Sequence, residues 1–303
     1  MRTDQATTAI LVDWGTTNLR AFRLGLDGAA RERRQAPSGI LHVPGRDFAG
    51  ALRDLVGDWR AAAPASPVLM AGMIGSRQGW VEAPYVPCPA APADLARHIV
   101  EVPGAAGVRV APGVSFAAAD GRHDVMRGEE TQIFGALAGA STGRRVLCLP
   151  GTHSKWAVVE DGRIVWFATS MTGEVYAVLQ AHSILGALMT GEAQDSAAFR
   201  RGLDRSGQDG GLLHHLFGVR AQGLFGAIPA TGLRSYLSGI LVGHEVAAMV
   251  AAMRPETVAL VGAPALCALY AEALLRHGCA SAAVDGERAT VAGLSLLLAI
   301  ATG

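Results

Sequence analysis

Val12-Asp13-Trp14-Gly15-Thr16-Thr17-Asn18-Leu19-Arg20 sets an acid at the end of an apolar run and puts a glycine-hydroxyl turn directly after it. The run begins at Ala9-Ile10-Leu11, and residues 19–24 alternate apolar side chains with Arg20 and Arg23, so the segment predicts two strands joined by a tight turn. Such a turn offers an anion its backbone N–H groups and the hydroxyls of Thr16 and Thr17, with Gly15 and Asn18 beside them. A carboxylate at the strand end, here Asp13, can hold Mg²⁺ through water. Together these suit a triphosphate tail. Taken alone, the stretch also reads as an ordinary hairpin turn capped by an Asx interaction.

Working outward, residues 29–35 are polar enough for a third, edge-like strand. Phe48, Leu52, Leu55, Val56 and Trp59 fall at helical spacing and predict an amphipathic helix over 48–62. Strands are expected at 68–71 and 108–110, and a helix over 129–140 whose acidic start suits the positive end of its dipole. Residues 145–149 then form a buried strand ending at Pro150-Gly151-Thr152, followed by a hairpin of 155–159 and 163–168 around Asp161-Gly162. The second half thus begins as the first did, with strand, glycine-threonine turn and returning strands. Helices are expected over 174–188, 197–216 and 235–253, then a strand at 257–261, a helix at 264–277 and a last helix at 288–301. The boundary falls near 120–145, dividing the chain into domains at 1–125 and 126–303.

With 303 residues, half of them hydrophobic, the chain can bury two moderate cores. Its 26 basic and 26 acidic residues cancel, so no overall field draws it to nucleic acid or to an anionic membrane, and a small-molecule substrate fits better. Cys88, Cys148, Cys267 and Cys279 show no C-x-x-C pairing and lie in apolar stretches, as buried thiols of a reducing compartment do. The start of the chain, residues 1–5, carries an acid and no cleavage site, against a signal peptide. The apolar stretches near 239–253 and 291–301 are interrupted by His244 and Glu245 or too short to cross a bilayer. A cytoplasmic enzyme is expected, with no membrane and no nucleic-acid partner; a homodimer stays open.

Four further motifs carry chemistry. Leu149-Pro150-Gly151-Thr152-His153-Ser154-Lys155-Trp156 repeats the logic of the first turn, and Lys155 is the only lysine among 26 basic residues. A compact ammonium beside phosphate oxygens would explain why arginine does not stand there. Gly128-Glu129-Glu130-Thr131-Gln132 puts two acids at a helix start, which the dipole alone explains; one of them facing a substrate would instead accept the proton of an attacking hydroxyl. Adjacent helical residues point about 100° apart, so only one does so. Leu260-Val261-Gly262-Ala263-Pro264-Ala265 runs a strand through small residues into a helix, where an adenine ring could lie against backbone. Gly72-Met73-Ile74-Gly75-Ser76-Arg77-Gln78-Gly79-Trp80, with Tyr85 after it, suits a sugar acid and offers Arg77 for a carboxylate; a structured surface loop is the plain alternative. Arg20, Arg127, Thr172 and Glu174 complete the substrate candidates. Neither G-x-x-x-x-G-K-[ST], nor G-x-G, nor H-E-x-x-H occurs, so P-loop, Rossmann and zincin readings lose their support.

These motifs carry a resemblance. Asp13 to Arg20 resembles the first phosphate motif of the sugar kinase, hsp70 and actin superfamily. Residues 12–20, 71–80, 126–132 and 149–156, in that order, resemble the 2-dehydro-3-deoxygalactonokinase family; beyond about residue 190 the match rests on pattern. The resemblance implies an α/β fold of two actin-like (ribonuclease H-like) domains, mixed sheets flanked by helices, with an interdomain cleft. It implies transfer of the ATP γ-phosphate, with Mg²⁺, to the 6-hydroxyl of 2-dehydro-3-deoxy-D-galactonate. Related kinases carry Gly-Asp-Gln where this chain has Gly128-Glu129-Glu130, which makes Glu129 the implied base and leaves Glu130 as its rival. Other readings are a kinase of the same fold acting on another sugar or polyol, and a non-catalytic sensor of sugar or nucleotide.

Overall fold

A computed structural model describes residues 7–137 and 142–303; the reading of residues 1–5 and the end of the expected 129–140 helix lie outside them. Two compact units emerge, one formed by Met1–Arg144, Ala157–Phe167 and Val284–Gly303, the other by Arg145–Trp156 and Ala168–Ala283.

In the first unit β1 (Ala9–Trp14), β2 (Leu19–Leu24) and β3 (Ala30–Ala36) form the expected meander. β1 is central and almost wholly buried, whereas β3 is mostly exposed, as its charge predicts. α1 (Phe48–Ala62) starts at Asp47, whose side chain accepts from the Gly50 N–H at 2.8 Å, and it buries Phe48, Leu52, Val56 and Trp59. β4 (Val68–Ala71) returns to the sheet, followed by β5 (Tyr85–Pro87), α2 (Pro92–Ala96), β6 (Val100–Glu101), β7 (Val108–Val110), β8 (Gly113–Ala117), β9 (His123–Met126) and α3 (Glu129–Ala136). The main sheet has the order β3-β2-β1-β4-β7-β6, and β5-β8-β9 make a small separate sheet. β1 is antiparallel to β2 but parallel to β4, so Asp13 has Arg20 on one side and Ala71 on the other.

The second sheet begins with β10 (Arg144–Leu149), β11 (Ser154–Glu160) and β12 (Arg163–Ser170). Asp161 and Gly162, with φ of 47° and 76°, supply the two positive values that a tight hairpin of the right twist needs. Helices α4 (Thr172–His182), α5 (Ser196–Ser206), α6 (Gly211–Leu224) and α7 (Leu233–Met253) follow, then β13 (Thr257–Gly262), α8 (Pro264–Arg276), β14 (Ala280–Asp285) and α9 (Gly286–Thr302). The order is β12-β11-β10-β13-β14, with β10 parallel to β13, repeating the first five places of the first sheet.

Two helical expectations are corrected. Residues 197–216 are two helices, α5 and α6, because Gly207, Gly210 and Gly211 interrupt them, and residues 174–188 break after His182. α9 packs on α3 in the first unit at backbone distance: a Cβ on Gly135 would fall 1.8 Å from Ala289 O, and one on Gly293 1.8 Å from Thr131 O. Among the described residues α7 is the one helix long and apolar enough to cross a membrane, yet 56% of its most apolar stretch is buried within the protein.

Candidate active site

In the first unit three chain segments converge on Asp13. A Cβ on Gly72, just past β4, would lie 2.8 Å from Trp14 O and 3.6 Å from Asp13 Oδ1, while one on Gly128, just before α3, would lie 3.1 Å from Gly72 Cα. The ends of β1 and β4 and the start of α3 therefore meet at two residues without side chains, and Asp13 Oδ1 looks onto that bare backbone. Its other oxygen accepts from Arg20 Nη1 at 3.1 Å, and Arg20 Nε lies 3.6 Å from Glu287 Oε1 on α9. Burial pushes the Asp13 carboxyl up, with the Arg20 charge opposing it. Arg20 is thus tied into an ion-pair chain.

The turn after β1 is fastened from behind. Gly39 N donates to Thr17 O at 3.0 Å, Ile40 N to Gly15 O at 3.0 Å and Leu41 N to Thr16 O at 3.3 Å. Those bonds occupy the carbonyls and leave Thr16 and Thr17 exposed, with Asn18 half-buried and its Nδ2 donating to Thr17 Oγ1 at 3.0 Å.

The two acids of α3 differ. Glu130 is wholly buried, and its carboxyl is pushed up to about 8 by burial first and by the charge of Glu129 second. Glu129 is half-buried and its Oε2 accepts from the Arg127 N–H at 3.0 Å. The arginines differ as well. Arg77 is 87% exposed and paired with Glu82 at 2.9 Å. Arg127 is only 8% exposed, stacks 4.2 Å over the Tyr85 ring and donates to Ala83 O at 2.7 Å. Its Nε and Nη1 are buried without a hydrogen-bond partner, and a group of that kind calls for an acceptor. Ser76 donates to Met73 O at 2.7 Å, Gln78 is exposed, and Trp80 packs against the unit's core.

In the second unit Gly151 and Thr152 line a cavity of about 590 Å³ together with Thr172 and Gly173. Gly262 lies close by, since a Cβ on it would be 3.7 Å from Pro150 O, and exposed Ala263 caps α8, whose Tyr270 reaches the same cavity. Thr152 O accepts from Glu174 N at 3.0 Å, and His153 Nε2 meets Glu174 Oε2, so the first turn of α4 grips the turn. Lys155 is 6% exposed and donates through Nζ to Thr169 Oγ1 at 2.7 Å. Ser154 is fully buried, its hydroxyl 2.9 Å from that of Tyr270. Tyr176, Glu192, Gln194 and Arg234 also line the cavity, and sequence reasoning missed them, because they sit in no motif and come together only by folding.

A twice-used strand order, with a glycine-hydroxyl turn after the first strand of each sheet, defines an actin-like α/β phosphotransferase, here a carbohydrate kinase. The model of the family described as 2-keto-3-deoxy-galactonokinase matches residues 13–297, and the chain belongs to that family. It is 37% identical over 286 residues, 94% of this chain and 95% of the relative, to the 2-dehydro-3-deoxygalactonokinase of Escherichia coli (strain K12). A candidate enzyme of the same name from Rhizobium meliloti (strain 1021) is 39% identical over 94% of each chain. Among solved structures, that of a candidate 2-dehydro-3-deoxygalactonokinase from Sinorhizobium meliloti superposes with a TM-score of 0.87 at 36% identity, covering 95% of this chain and 97% of its own. Component A of the (R)-2-hydroxyglutaryl-CoA dehydratase of Acidaminococcus fermentans, 11% identical with a TM-score of 0.50, covering 98% of this chain and all of its own, shares the fold alone.

Proposed function

We propose that the protein phosphorylates 2-dehydro-3-deoxy-D-galactonate on its 6-hydroxyl with ATP, giving the 6-phosphate and ADP, in D-galactonate catabolism in the cytoplasm. The observation that carries this reading is the family match from residue 13 to residue 297, which takes in the motifs discussed above from Asp13 onward. Within it, the first unit, which extends past the expected boundary at residue 125 to include Arg127 and α3, binds the sugar acid and supplies the first phosphate turn, and the second unit supplies the second turn and the adenosine contacts.

Each residue's proposed task follows from its surroundings. Thr16, Thr17 and Asn18 offer donors to phosphate oxygens, because the turn's carbonyls are engaged within the protein, and Gly15 closes the turn by donating its N–H to Asn18 O at 2.9 Å. Gly151, Thr152 and His153 do the same from the cavity of the second unit, with Gly262 and Ala263 beside the base. Glu129 accepts the proton of the 6-hydroxyl: it is partly open, whereas Glu130 is sealed. Arg127 orients the sugar acid's carboxylate, since its guanidinium is buried with two nitrogens unserved. Lys155 contributes positive charge to the phosphates from a fixed position.

Mg²⁺ fits the donor set. Asp13 is a hard oxygen ligand whose Oδ1 lies over side-chain-free Gly72, and an ion held mainly by water and phosphate needs no further protein carboxylate. When bound, Mg²⁺ neutralises charge on the β- and γ-phosphates. Asp13 would hold it.

A coupled ADP-release assay tests the proposal by comparing 2-dehydro-3-deoxygalactonate with its gluconate epimer. The galactonate derivative is expected to give the higher kcat/KM. Preference for another sugar, or ATP binding with no ADP release on any sugar acid, overturns it.

A further inference from the structure

Glu245, on α7, is 6% exposed, and nothing in the phosphoryl transfer requires it. Its Oε1 accepts from Trp156 Nε1 at 2.7 Å and its Oε2 from the Tyr270 hydroxyl at 2.7 Å. Tyr270 has one proton and gives it to Glu245. The 2.9 Å contact between Tyr270 and Ser154 therefore runs the other way, with the Ser154 hydroxyl donating to the phenolic oxygen. Ser154 and Trp156 are alternate residues of β11 and share one face. One carboxylate thus holds the strand at two points directly after Gly151-Thr152-His153.

The same carboxylate reaches the other flank of that turn. Burial pushes the Glu245 carboxyl up, and hydrogen bonds from Thr172 and Trp156 oppose the rise. Thr172 opens α4, and the residue after it lies against the turn: a Cβ on Gly173 would be 2.4 Å from Gly151 O and 2.7 Å from Thr152 Cα. Glu245 itself does not line the 590 Å³ cavity; it borders a separate one of about 320 Å³ with Met171, Val175 and His244. A desolvated carboxylate stabilises a core less than an apolar side chain of similar volume, so stability alone does not account for it.

We propose that Glu245 is a positioning residue for the nucleotide phosphates, fixing the Gly151–Thr152 turn from both flanks through Trp156, Tyr270 with Ser154, and Thr172. The inference rests on reading that turn as a phosphate cradle.

The test compares Glu245→Ala with Glu245→Gln by initial rates and by ATP binding calorimetry. The alanine variant leaves the indole N–H and the Tyr270 hydroxyl without their acceptor. Glutamine keeps the two bonds to β11 and α8: its oxygen serves Trp156, its amide donates to Tyr270, and Tyr270 turns its proton to Ser154. Glu245→Ala is expected to raise KM and Kd for ATP about tenfold while KM for the sugar acid changes less than about twofold, and Glu245→Gln to restore ATP binding to within about threefold. An unchanged ATP affinity in Glu245→Ala, or equal losses for both substrates, overturns the proposal. Should the alanine variant not fold, Ser154→Ala cuts one link alone, and the same outcomes apply to it. Gly151→Val separates the two readings, because a Cβ there meets nothing within 4 Å. If it leaves ATP binding intact, the cradle itself is wrong; if it weakens ATP binding while Glu245→Ala does not, only the positioning role falls.

Discussion

Both carboxylate oxygens of Glu130 accept from the backbone N–H of Gly128, at 2.9 and 2.8 Å, so this glutamate closes the start of its own helix. Its carboxyl, pushed up to about 8 from the ordinary 4.5, keeps a proton in the native state that the unfolded chain has already released. The unfolded state therefore binds fewer protons across that window, and stability falls as pH rises from about 4.5 to about 8, then levels. Thermal melts between pH 5 and pH 9 should show this decline in the wild type and a flatter profile in Glu130→Gln, whose amide oxygen can still serve Gly128. Parallel profiles would show that Glu130 is not the group responsible.

Glu129→Gln keeps the size of the side chain and removes its basicity. If Glu129 takes the hydroxyl proton, kcat drops by about 10²–10⁴-fold, the usual range for a general base, while ATP binding persists. Near-normal turnover in single-turnover measurements would refute that role.

Arg127 and Arg77 make a matched pair for locating the carboxylate. Arg127→Lys is expected to raise KM for the sugar acid by at least about tenfold without altering KM for ATP, because an ammonium cannot reproduce a planar fork. Arg77→Ala, at a side chain 87% exposed, should change KM less than about twofold. The reverse ranking would move the carboxylate to the exposed loop.

Gly39→Ala tests the backing of the first turn. A Cβ there would fall 2.3 Å from Thr16 O and 2.3 Å from Thr17 N, and neither backbone atom can rotate away. The expected cost is about 1–3 kcal/mol of stability, with a weaker apparent affinity for ATP, read from denaturant unfolding and ATP titration. An unaffected ATP titration would mean that the turn after β1 does not contact the nucleotide.

Much of the fold is written in local pattern. The apolar run of β1, the alternation in β2, the stripe of α1 and the Asp161-Gly162 corner each follow from side-chain period or from backbone angles that few residues adopt. β5, β6, β8 and β9 are too short, at two to five residues, to show a period at all. β14 is exposed and alanine-rich, without the apolar alternation that marks a strand. Within the candidate site, the sequence presents Ser154-Lys155-Trp156 as one motif, whereas the pleat turns Ser154 and Trp156 toward Tyr270 and Glu245 and leaves Lys155 with Thr169. The contrast between Arg77 and Arg127 depends on Ala83 and Tyr85: the sequence sets Tyr85 beside the Arg77 loop, whereas the fold stacks it against Arg127.

Lys155 is the chain's one lysine, and only 6% of it is exposed. Acylating or carbamylating reagents therefore find almost no accessible side-chain amine on the folded protein. Adduct formation at this position would proceed at the pace at which the surrounding sheet opens, which turns a chemical scarcity into a clock for local unfolding.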